Sequence, residues 1–204
     1  MWALTTKERE ENLLPIRIPI DRGLFGWRIF LIKESDQALF SSLESSAQLA
    51  KLRTAQGHDW PDTAILQANK FAISSSKSYE GLFDMLARNH IQYFPRSLLE
   101  AELELDAHPQ QGLAIESQIV LHYQTALYFF VNKNNSELAA DLEKGLRKAI
   151  ADGSFKTLFE YHFRDSIRKY NLPQRRLISI NNPFLPATTP LTETTLWFSP
   201  EDNY

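Results

Sequence analysis

Short extended runs alternate with amphipathic helical stretches along most of this 204-residue chain, and that alternation leaves a layered α/β fold as the architecture to expect. Near the start, Thr5-x-x-Glu8 reads as a capping box for a short helix to about Asn12, closed by Pro15. Ile16, Ile18 and Ile20 then alternate with Arg17 and Pro19 as an exposed edge strand would. The aromatic-rich run 27–32 predicts a buried strand, 36–43 a helix and 52–55 a short strand. Gln56-Gly57-His58-Asp59-Trp60-Pro61 is a turn into a helix, with Asp59 or Trp60 as cap and Pro61 in the first turn. A strand is expected over 71–73. Ser78 caps a helix with Tyr79, Leu82, Phe83 and Leu86 on one face.

Further along, 90–94 predicts a strand broken by Pro95, and Ser97-x-x-Glu100 a second capping box opening a helix to about Leu105. Extended runs follow at 113–115 and 126–131. Leu138, Leu142, Leu146, Ala149 and Ile150 form the clearest apolar stripe, with Gly153 placed to end that helix. Ser154 restarts a helix with Phe155, Leu158, Phe159 and Phe163 inward. After Asn171 the chain is rich in Pro and Thr, and Phe184, Leu185, Leu196, Trp197 and Phe198 favour a tail laid on a surface.

Composition narrows the function classes. With 43% hydrophobic and 23% charged residues, the chain can bury a sizeable core. The net charge of −3 and the scattered Lys and Arg argue against a nucleic-acid partner; the clusters at 164–169 and Arg175-Arg176 read as solvated surface. No cysteine is present, so disulfides and thiolate metal sites are excluded. The five histidines (58, 90, 108, 122, 162) lack metal-ligand spacing, and neither a Gly-rich phosphate loop nor a Gly-x-Ser-x-Gly elbow occurs. No cofactor is expected. No apolar run reaches the ~18–20 residues of a membrane span, and the first residues do not form an export signal.

Four stretches, in order, resemble the extracellular solute-binding proteins (family 3) that serve amino-acid ABC transporters. They are Thr5-Thr6-Lys7-Glu8-Arg9 with Ile16-Arg17-Ile18-Pro19 and 27–33; 49–60; 79–96; and 128–163, with Asn132-Lys133, Leu138, Leu142, Ala149, Asp152-Gly153 and Phe159 in place. Together they span about residues 3–165. The resemblance implies a two-lobed, type II periplasmic-binding-protein-like α/β fold with hinge strands near 27–33 and 126–132. Lobe 1 would comprise 1–33 and 127–170, lobe 2 would be 34–126, and 171–204 a docked tail. The family's first lobe begins with two further strand–helix units, so lobe 1 is expected to be incomplete, the chain N-terminally truncated, and self-association through that lobe a consequence.

The same resemblance implies a non-enzymatic protein that captures a small molecule between its lobes for an ABC permease, in the periplasm. By position, Thr5 and Arg9 would grip a ligand carboxylate, Arg9 as a bidentate fork; read alone, its Lys-Glu-Arg-Glu-Glu run favours a solvated helix residue, and the resemblance brings the two readings level. Gly57, His58, Asp59 and Trp60 form the loop before a helix N-terminus. The family carries small hydroxyl residues there, so Asp59 would repel a carboxylate while Trp60 offers an aromatic wall, or equally is a packing residue at a helix cap. Tyr79 and Phe94 would line the site. Where the family has an Asp for an α-ammonium, this chain has Arg96, which points to an anionic or otherwise non-standard amino-acid-like ligand, unless Arg96 pairs internally with Asp59. Three alternatives stay open: a sensor module, a dehydratase-like enzyme using His58, Asp59 or Glu80, and a degenerate paralogue acting through protein contacts.

Overall fold

A computed structural model describes residues 1–202. In chain order the elements are β1 (Trp2–Leu4), α1 (Lys7–Asn12), β2 (Leu13–Ile16), β3 (Trp27–Lys33), α2 (Gln37–Ser41), α3 (Ser46–Leu49), β4 (Arg53–Gly57), α4 (Pro61–Ala68) and β5 (Ala72–Ser76). They continue with α5 (Tyr79–Ala87), β6 (Tyr93–Ser97), α6 (Ala101–Ala107), β7 (Leu113–Ile115), β8 (Ile119–His122), β9 (Leu127–Asn132), α7 (Ser136–Ala151), α8 (Ser154–Tyr170) and β10 (Arg176–Ser179). The chain divides into two compact units. One holds Met1–Gly26, Gln124–Lys169 and the segment from Phe184 onward; the other holds Trp27–Tyr123 and Tyr170–Pro183.

The first unit is a three-stranded antiparallel sheet, β1-β9-β2, with the helices α1, α7 and α8. Thr6, rather than Thr5, caps α1: its hydroxyl accepts the Arg9 N–H at 3.1 Å. No residue of α7 is fully buried, and on α8 Phe159 is buried whereas Leu158 points outward, contrary to the inward face expected of it. Asn135 caps α7, and Gly153 follows it at φ +82°, the left-handed conformation that suits a helix stop. From Phe184 on, the tail is docked: Leu196 and Phe198 are buried, and the Trp197 indole donates to the Pro190 carbonyl at 2.9 Å.

The second unit is a seven-stranded, mostly parallel sheet in the order β10-β8-β3-β6-β4-β5, with β7 also paired to β3. Strand β3 runs antiparallel to β6, β7 and β8 and is buried from Trp27 to Ile32, as expected for a strand with neighbours on both edges and a core on its faces. Phe30, Ile32, Phe40, Leu49, Ile65, Leu66, Tyr93 and Leu121 form that core. Strand 27–33 thus lies within the second unit and not in lobe 1, where the sequence reading had put it. The reading of 171–183 as tail is corrected too: β10 pairs in parallel with β8 and adds Ile178 to the core.

Pro95 does not break β6, which continues to Ser97. The carbonyl of Phe30, opposite Pro95, accepts from the Glu116 N–H, so no bond to the proline nitrogen is required on the β3 side. On the β4 side the backbone pairing of Thr54 with Tyr93 is extended by side chains: Thr54 Oγ1 donates to the Tyr93 carbonyl at 2.9 Å, and Gln56 Nε2 to the Pro95 carbonyl at 2.8 Å. Ser97 therefore ends a strand and α6 starts later, at Ala101. The expected box survives only in part, as the Glu100 carboxylate accepting from the Ser97 N–H at 3.3 Å.

Candidate functional site: a charged aromatic shelf

Strands β4 and β6 are parallel, so the loop from β4 into α4 and the end of β6 come together at one edge of the sheet. Pro61 opens α4 at its first position, and Trp60, its N-cap, offers no side-chain oxygen to the helix. Instead the indole folds back over Gly57. A Cβ on Gly57 would lie 2.5 Å from the Trp60 ring, so only glycine lets the indole lie there. The Gly57 carbonyl accepts from Trp60 N–H at 3.1 Å and from Thr63 Oγ1 at 2.7 Å, which holds the turn closed. Trp60 lies nearly parallel to Phe94 (18°, centroids 6.4 Å apart), and Tyr79 approaches it at 6.4 Å.

Under this aromatic layer sits Arg96, 5% exposed, with its guanidinium 4.7 Å from the Trp60 ring and 5.1 Å from that of Phe94. Its Nε donates to both oxygens of Glu104, at 2.9 and 2.7 Å; an NH2 nitrogen reaches Glu104 at 2.6 Å and Glu100 at 3.1 Å. Burial works against the guanidinium charge, and the two carboxylates more than restore it, raising its pKa. The Tyr79 hydroxyl donates to Glu104 at 2.6 Å; burial and this bond push its pKa up, so it stays a proton donor. Beside this cluster, fully buried Arg28 pairs with Asp62 at 2.5 Å, and Tyr123 also donates to Asp62. Glu100 lies 3.9 Å from Arg28 and so stands between the two guanidiniums.

The structure therefore brings Gly57, Trp60, Tyr79, Phe94 and Arg96 into one cluster. His58 and Asp59 are at the loop tip, largely exposed and 3.5 Å from each other, so Asp59 is not the partner of Arg96 that the sequence had offered. Thr5 and Arg9 belong to the first unit. Thr5 is buried and its hydroxyl donates to Glu10 at 2.7 Å, while Arg9 donates to the Leu4 carbonyl. Sequence reasoning missed Glu100, Glu104, Asp62 and Arg28. The spacing Arg96-x-x-x-Glu100-x-x-x-Glu104 was the available signal, but 96–100 spans a strand end and a turn, so helical periodicity did not apply to it.

Gly57→Ala tests this packing. It is expected to cost about 1–3 kcal/mol, since a rigid indole must yield to the new methyl group. Adding Trp60→Ala should recover most of that loss in a double-mutant cycle of urea denaturation; a Gly57→Ala protein as stable as wild type would show the ring is not held there.

No protein-family model and no curated protein matches the chain. Solved structures do. An ancestral arginine-binding protein bound to arginine superposes with a TM-score of 0.55 at 16% identity, over 78% of this chain and 68% of that one. The GluR0 ligand-binding core in complex with L-glutamate gives 0.57 at 13% identity, over 78% and 68%. An amino acid ABC transporter substrate-binding protein from Streptococcus pneumoniae, bound to L-arginine, gives 0.53 at 19% identity, over 78% of this chain and 64% of its own. These likenesses show the fold: the chain is an α/β protein of the type II periplasmic-binding-protein-like class.

Proposed function

We propose that the chain is a non-enzymatic solute-binding protein that captures a small polar ligand, with the shelf as one wall of the site. One observation carries the reading. Aromatic and charged side chains converge at the C-terminal ends of parallel strands β4 and β6, which is where open α/β sheets bind ligands. The base of the shelf is buried, and its rim (His58, Asp59, Tyr79 and Glu100) is open enough to meet a solute.

The preference for an anion rested on a free Arg96. That cation is taken up by Glu104 and Glu100, and the cluster of Arg28, Arg96, Asp62, Glu100 and Glu104 holds three carboxylates against two guanidiniums. An amino-acid-like ligand presenting a cationic or hydrogen-bond-donating group to Glu100, and an apolar stem to Trp60 and Tyr79, fits this charge balance better. Delivery to an ABC-type permease belongs to the same proposal, in keeping with the amino acid ABC transporter substrate-binding protein among the structural matches, and so does residence in the periplasm. No helix among the described residues is long and apolar enough to cross a membrane.

A thermal-shift screen against amino acids, polyamines, dicarboxylates and sugars tests the reading. A ligand present at a hundred times its Kd stabilises by about 2.7 kcal/mol, and Trp60→Ala should remove that gain. Stabilisation by dicarboxylates alone would overturn the charge argument. Silence across the panel would favour a second reading, a protein that acts through protein contacts. The packing of Trp60 onto Gly57 and the saturation of Arg96 and Tyr79 by Glu104 support it.

A further inference from the structure

We propose that His108 is a positioning residue for the shelf: its doubly protonated ring ties α6 to α5 and thereby holds Glu104 against Arg96 and Tyr79. The proposal rests on reading the shelf as the ligand-facing surface, but its test needs no ligand. His108 follows the last turn of α6, is 9% exposed, and stacks on Phe83 of α5 at 3.7 Å with the rings 13° apart. Its Nδ1 is 2.6 Å from the Glu104 carbonyl oxygen and its Nε2 is 2.9 Å from Glu80 Oε2. Both partners are acceptors. A neutral imidazole has a single N–H, so it can satisfy one of them and must set a lone pair against the other. The imidazolium donates to both.

The residue contacted through its carbonyl, Glu104, is the one whose carboxylate takes Arg96 and the Tyr79 hydroxyl. Holding its backbone fixes where that carboxylate stands. The charged groups facing the ring are Glu80 from α5 and Glu104 from α6, with Arg96 of β6 reaching Glu104 from its other side. A cation at a helix C-terminus is favoured as well. Burial opposes the charge, but the bonds to the Glu104 carbonyl and the Glu80 carboxylate outweigh it and raise the pKa above the ordinary histidine value. A raised folded-state pKa means that the tie is complete below the unfolded pKa, about 6.5, and is lost as pH rises through the folded one. Glu80 is 71% exposed on its side chain, so salt screens its share.

The experiment is a pH titration of the ligand-free protein by NMR, following the His108 ring protons and the Arg96 Nε–H. It compares wild type with His108→Gln and Glu80→Gln; the latter removes an exposed partner and leaves the fold's core untouched. The expected result is a His108 midpoint above 6.5, an Arg96 signal that changes with the same midpoint, and a lower midpoint for both in Glu80→Gln. In His108→Gln the Arg96 signal should lose that pH dependence. A His108 midpoint at or below 6.5, or an Arg96 signal indifferent to it, overturns the proposal. Because the signals are read without ligand, failure of the solute-binding reading would appear separately, as silence in the thermal-shift screen.

Discussion

Asp62→Ala should be the most damaging single change in the second unit, lowering stability by about 3–5 kcal/mol. Arg28 is fully buried at the start of β3, and Asp62, in the first turn of α4, pairs with it at 2.5 Å while also accepting the Tyr123 hydroxyl. Removing the carboxylate strands a guanidinium in a place where water cannot replace the lost partner, and leaves it only the long 3.9 Å contact to Glu100, which lies closer to Arg96, at 3.1 Å. Burial opposes the charge on Arg28, and Asp62 heads the groups that raise its pKa despite that. The cost should come mostly from the orphaned charge and not from the lost attraction. The double variant Arg28→Met with Asp62→Leu is accordingly expected to regain most of the stability in guanidinium denaturation. A double variant as unstable as Asp62→Ala would show that the pair is required for itself.

Glu104→Ala is expected to cost about 3 kcal/mol, somewhat less than Asp62→Ala, because Glu100 keeps a contact with Arg96 at 3.1 Å. The same substitution leaves Tyr79 without its acceptor, so Tyr79→Phe should add almost nothing in the Glu104→Ala background while costing about 1 kcal/mol alone. Glu104→Gln separates charge from hydrogen bonding, since it keeps an acceptor for Tyr79 and removes the ion pair. If Glu104→Ala melts within about 1 °C of wild type, the shelf is not organised by this carboxylate.

Much of the element order was legible in advance, and for identifiable reasons. Ser78 before a one-faced helix, Pro61 at a first turn and the stripe through Leu138, Leu142 and Leu146 are local signals, and α5, α4 and α7 form where they point. Strand β3 was equally readable, because a strand buried on both faces needs an unbroken apolar run. Strands β8 and β10 were not. Each is four residues long, and β10, with Arg176 and Leu177 exposed, has little apolar pattern of its own; pairing with a distant partner is what makes it a strand. The continuation of β6 through Pro95 was hidden for a similar reason, since it depends on Gln56 and Glu116 supplying contacts from remote positions.

The chain's own residues determine an α/β layering and the absence of cysteine chemistry, and the family resemblance points to Gly57, Trp60, Tyr79, Phe94 and Arg96 together with Thr5, Arg9, His58 and Asp59. Tertiary structure alone decided what those residues do. A guanidinium attracts any carboxylate within reach, and a sequence shows which carboxylates exist but not which one the fold brings to 2.6 Å. By its position Arg96 was a cation offered to a ligand; folding gave it Glu104 and Glu100, and so changed the net charge of the shelf.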